Sequence, residues 1–183
     1  MRSISMVALL SAFAFPHIVS AVQPGPYAGL EQRDIKALSS EEIRSYQTGK
    51  GAGLAKAAEL NHYPGPAHVL ELADALQLSN DQKKSTKAIF DVMQREAVRH
   101  GMILIEKERE LDRQFAAGTI TRDSLRAVLA QIGNLQAEIR RTHLQAHLEQ
   151  RAILTREQIA RYDQLRGYNS GRGSEHGGHV HGR

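Results

Sequence analysis

Hydrophobic positions in the second half of the chain recur at steps of three and four, the period of an amphipathic helix. One such stripe holds Ile89, Met93, Ala97, Leu104, Leu111 and Phe115, with His100 and Glu108 on the same face. It starts at Ser79, where Gln82 completes a capping box, and runs to about Ala117 before Gly118. A second stripe holds Leu125, Val128, Ile132, Leu135, Ile139, Thr142 and Ala146, alternating three and four like a heptad seam. Thr121 caps that helix, Asp123 lies near the positive end of its dipole, and the pattern reaches about Ile153. Only a few residues around Gly118 join the two helices. The pattern therefore predicts an antiparallel helical hairpin of roughly 50 Å at about 1.5 Å per residue.

Shorter elements flank the hairpin. Ser39 and Glu42 form a capping box for a helix to about Thr48, which stops at Gly49-Lys50-Gly51. A second short helix covers residues 52–60, stopped by Asn61 and the turn Tyr63-Pro64-Gly65-Pro66. Pro66 suits the first turn of a third helix over residues 67–76, with Val69, Leu70, Leu72, Ala73 and Leu76 on its apolar face. Thr155 and Gln158 cap a last helix to about Arg166. A lone hairpin buries one stripe only, so short helices cover its ends and a second subunit covers what remains.

Composition narrows the class. The chain has 183 residues, 41% apolar and 24% charged, which suits one folded domain rather than a disordered or polytopic chain. Aromatics are 5% and Trp is absent, so the core rests on aliphatic side chains. With no cysteine there is no disulfide, zinc-thiolate site, iron–sulfur ligation or thiol nucleophile. The net charge of +4 comes without a long basic run, which argues against nucleic acid as a partner. There is no P-loop, dinucleotide fingerprint or G-x-S-x-G. The carboxylates are interleaved with Arg and Lys, so catalysis lacks support and the chain reads as a non-enzyme.

The first segment reads as an export signal. Arg2 precedes an apolar stretch at residues 4–15, then Pro16 and the small triplet Val19-Ser20-Ala21. Cleavage is expected after Ala21, and an uncleaved anchor is the alternative. Removing residues 1–21 takes away one Arg and no acid, which leaves 23 basic and 20 acidic residues. The bacterial periplasm is the simplest compartment. The expected organisation is a signal peptide at 1–21, a leader with short helices at 22–65, the hairpin domain at 66–168 and a disordered Gly/His-rich tail at 169–183.

Two five-residue segments carry a resemblance. Leu154-Thr155-Arg156-Glu157-Gln158 matches an LTxxQ pattern, and Leu78-Ser79-Asn80-Asp81-Gln82 repeats it with Ser in place of Thr. Two copies flanking a hairpin, after an export signal and without cysteine, resemble the Spy/CpxP family of periplasmic proteins. That family includes zinc-resistance-associated proteins and periplasmic heavy-metal sensors. The resemblance covers residues 66–168, and the segment before it is similar to the leader of the sensor-like members. Leu78, Ser79, Gln82, Leu154, Thr155 and Gln158 also have a plain structural reading. The leucines pack inward and each hydroxyl–glutamine pair closes a helix start.

The resemblance implies an all-α, cradle-like dimer that binds unfolded or misfolded clients without ATP in envelope stress. Clients would meet a face mixing basic and apolar residues. Candidates are Lys83, Lys84, Lys87, Arg95 and Arg99 on the first long helix and Arg140, Arg141 and Arg151 on the second. The alternative is that they are solvated charges balanced by nearby glutamates. The resemblance also implies a metal-binding sensor or resistance protein, or a regulatory partner of a membrane stress or metal-signalling protein. No cofactor is required on this reading, with Zn, Ni and Cu as candidate ions. His143 and His147, at i and i+4, project from one helical face beside the seam. In the tail, His176, His179 and His181 on Gly spacers suit the same ions. His100 and Met102 read as mid-helix packing residues, and His62 and His68 as surface residues beside the Pro-Gly turn.

Overall fold

The computed structural model describes Gln23 and residues 25–168. The export signal at 1–21 and the tail at 169–183, with His176, His179 and His181, lie outside the described residues. Within them the chain is all-helical. A 3-10 turn at Leu30–Gln32 precedes α1 (Ser40–Thr48), α2 (Lys56–Glu59), α3 (Pro66–Glu71), α4 (Asn80–Ala116), α5 (Arg122–Ile153) and α6 (Arg156–Arg166). No helix among the described residues is long and apolar enough to cross a membrane.

Four helices start where a hydroxyl precedes them. Ser39, Ser79, Thr121 and Thr155 each accept from the backbone amide three residues on, and the side chain there returns the bond. In the Thr121 box the returning residue is Ser124 rather than Glu or Gln. Gly118, with φ of 63°, lets the chain leave α4 in a left-handed turn that few other residues adopt.

The two longest helices pack on each other along the expected stripes. Leu104, Val128, Ile132 and Ile139 form a buried cluster. Gln150 near the end of α5 is fully buried and donates to Thr86 near the start of α4 at 3.1 Å. Phe115 departs from its stripe and is 57% exposed. It lies at the C-terminal end of α4, where the aliphatic cluster has ended.

The residues before α3 form an arm, residues 32–65, that packs on a second face of α4 and α5. Ile35 and Leu38 bury Ile105, which lies off the main stripe. Gly101 makes the approach possible: a β-carbon there would fall 2.6 Å from the Tyr46 carbonyl oxygen. Lys36 pairs with Asp112 at 3.1 Å, and Asp34 with Arg109 at 3.1 Å.

Two short elements differ from expectation. The second helix is one turn, Lys56–Glu59, because Ala52 at φ 40° and the Leu54-to-Gly51 bond of 2.7 Å make a tight turn first. The third ends at Glu71, and residues 72–77 continue as turns, with Gln77 at φ 51°. Leu76 and Leu78 still reach the core, joining Val69, Leu154 and Tyr162 in a cluster at this end of the long helices.

Candidate functional site

His143 and His147, beside the apolar seam of α5, do not lie at an exposed edge of the helix pair. Both are buried, at 4% and 7% exposure, because the arm crosses α5 above them. Two glycines permit the crossing. The His143 ring lies 3.4 Å from where a β-carbon of Gly51 would stand. The His147 ring approaches the corresponding point at Gly65 to 2.9 Å. A cleft of about 650 Å³ opens here, with Lys50, Lys56, Glu59, Met93, His143 and His147 in its wall.

The two imidazoles differ in their partners. His147 Nδ1 lies 2.7 Å from the Tyr63 carbonyl oxygen. A carbonyl only accepts, so Nδ1 carries a hydrogen. His143 Nε2 is buried without a hydrogen-bond partner. Burial, and then the neighbouring His147, hold the His143 pKa below its ordinary value.

The carboxylate beside the pair comes from another element. Glu59 Oε2 lies 3.6 Å from His147 Nδ1 and has no hydrogen-bond partner. Glu59 Oε1 accepts from the Tyr162 hydroxyl and, at 3.0 Å, from the Tyr168 hydroxyl. His68 Nδ1 stands 3.4 Å from the same oxygen and Arg166 Nε 3.7 Å. Burial, and then Glu59, raise the Tyr162 phenol above its ordinary pKa. Next to this network His62 Nδ1 meets Asp163 at 2.7 Å. His62 and His68 are surface residues, as expected, with side chains 48% and 38% exposed, and they also partner Asp163 of α6 and Glu59. Among the described residues, no three His, Asp or Glu side chains are arranged to hold a metal ion.

The helix-start glutamines meet as well. Gln82 Nε2 donates to Gln158 Oε1 at 2.8 Å, and Gln158 Nε2 to Gln82 Oε1 at 3.0 Å. Gln82 also reaches the Ile153 carbonyl and Gln158 the Leu76 carbonyl. Leu78 and Leu154 are buried beneath them. The six motif residues thus tie together the two helix starts that flank the long pair.

The basic candidates do not share one state. Lys83 pairs with Asp74, Lys87 with Asp91, Arg99 with Glu96 and Arg141 with Glu138. The Arg99 charge also bears on Glu138, and the Arg141 bond to Glu138 is 2.7 Å. Arg151 lies over the Tyr63 ring at 4.2 Å. The exposed side chains of Lys84, Arg95 and Arg140 make no hydrogen bond or ion pair.

The outward side of α5 carries three adjoining hollows of about 510, 490 and 340 Å³. The first two share Ala137 and Arg140, and the second and third share Leu148. Together they form a shallow groove that extends from Gly133 past the end of α5. Leu148 is 58% exposed within it. On α4, Val92 and Ile103 are also exposed, and so is Met102, which does not pack as its mid-helix position suggested because it faces away from both α5 and the arm's buried contacts.

The chain matches no known family model, no curated protein and no solved structure.

Proposed function

We propose that the protein is an ATP-independent, chaperone-like protein of the periplasm that holds unfolded or misfolded chains during envelope stress. On this reading α4 and α5 form a long antiparallel hairpin, and two copies make a cradle-like dimer. The observation that carries it is the groove along α5, where apolar side chains and arginines lie open together. Charge raises the rate at which a client arrives, and the apolar floor retains it. No covalent step is needed, and the protein acts as a surface. The test is aggregation suppression: an equimolar amount of the form lacking residues 1–21 lowers light scattering by a denatured client. Unchanged scattering would sink the reading.

A second reading, a metal-responsive protein using Zn, Ni or Cu, is favoured by two buried donor atoms without hydrogen-bond partners in the walls of one cleft, His143 Nε2 and Glu59 Oε2. Such an ion would tie the arm to α5, and a signalling protein in the membrane would read the change. The donor types suit these ions. Calorimetric titration of the three ions into the full chain and a chain ending at Tyr168 tests it. Heat in both places the site on the helical part of the chain, with the His143 and His147 pair the first suspects. Heat lost on truncation places it in the tail at His176, His179 and His181. No heat in either chain removes the reading.

A further inference from the structure

We propose that the groove along α5 docks an acidic amphipathic helix, with leucine-like residues inward and Asp or Glu along its flanks. The proposal rests on the client-holding reading and names the chemistry of the segment that is held.

Arg140, Arg141, Arg151 and Arg156 line the groove, and none of its described lining residues is Asp or Glu. This contrasts with the start of α4, where Lys83 and Lys87 each have a carboxylate. Along the groove only Arg141 is held by one, Glu138. Arg151 uses its guanidinium face on Tyr63, which leaves its edge donors free for a partner. The exposed side chains of Arg140 and Arg156 make no hydrogen bond or ion pair among the described residues. A guanidinium offers a planar fork that a carboxylate meets with two hydrogen bonds, so such a row favours an acidic partner.

Shape and spacing point the same way. Leu144 and Leu148 stand one helical turn apart on the floor. Tyr46 and Leu54 of the arm wall one end, and Tyr63 and Ile159 the other. The stretch of α5 from Gly133 to Ile153 is about 30 Å long at 1.5 Å per residue, which matches a helix of about 20 residues. An amphipathic helix fills such a groove with side chains at i, i+4 and i+7.

Two synthetic 21-residue peptides test this, with leucines at the same positions and either Glu or Lys on the flanks. Fluorescence anisotropy is read against the form lacking residues 1–21. The Glu peptide binds at least about tenfold more tightly at low salt, and its advantage shrinks as salt rises. The double variant Arg140→Glu, Arg156→Glu loses that advantage while its circular-dichroism spectrum stays helical, since both side chains are exposed. Equal binding of both peptides, or unaltered binding by the double variant, overturns the proposal. So does capture by vesicles rich in phosphatidylglycerol without binding of the Glu peptide. Client aggregation is measured alongside. Suppression without preference for the Glu peptide overturns this inference and leaves client holding intact. Preference for the Glu peptide without suppression supports the groove's chemistry and removes client holding.

Discussion

Single residues decide where the arm can lie on the long helices. Gly101 is the tightest contact, because the Tyr46 backbone occupies the space of its missing side chain. Gly101→Ala should destabilise the protein by about 1–3 kcal/mol through overpacking. Limited proteolysis will show it as early cleavage in residues 32–65 while the long helices resist. Intact resistance of the arm would contradict the close approach. Glu108 gives a second prediction. Burial, and then the Glu42 charge, raise its pKa. The folded state therefore holds this proton more tightly than the unfolded state. Its contribution to stability is greatest below the ordinary carboxylate pKa and falls as pH rises through the raised value. Glu108→Gln should raise the melting temperature at pH 8 and bring no gain at pH 4. A gain that is equal at both pH values would contradict this sign. Sequence spacing placed Glu108 and His100 on the apolar stripe, and both are buried. It did not reveal the arm's burial of Gly101 and Ile105, because that contact joins segments about 55 to 70 residues apart and follows no period.

At the scale of elements, helix starts organise the molecule. The hydroxyl and glutamine of each five-residue motif satisfy amides within their own helix, and the glutamines then bond to each other. Thr155→Ala should cost ~1 kcal/mol in chemical denaturation, as loss of one cap does. Gln82→Ala and Gln158→Ala should be non-additive, with a coupling of about 0.5–3 kcal/mol in a double-mutant cycle. Strict additivity would mean that the glutamines act only as separate caps. The capping part of this arrangement was legible in the sequence, since caps depend on residues three apart. The glutamine pair was not, because its members lie 76 positions apart. Glu59 was missed for a similar reason. Its partners Tyr162, Tyr168 and His147 come from the other end of the chain. The crowding of Glu59, His62 and His68 around the Pro-Gly turn was the available signal.

For the whole molecule, the long helices leave one side of α5 open while the arm closes another. On the closed side lie the paired histidines and the Glu59 network, and on the open side the arginine-lined groove. Client holding assigns the work to the open side. Site-specific photo-crosslinking tests that assignment most directly. A benzophenone side chain replaces Leu148 in the groove, and in a second variant it replaces Lys84, an exposed α4 position outside the groove. A denatured client should crosslink strongly from position 148 and weakly from position 84. Equal crosslinking from both positions, or none from position 148, would contradict the claim that clients are held along α5.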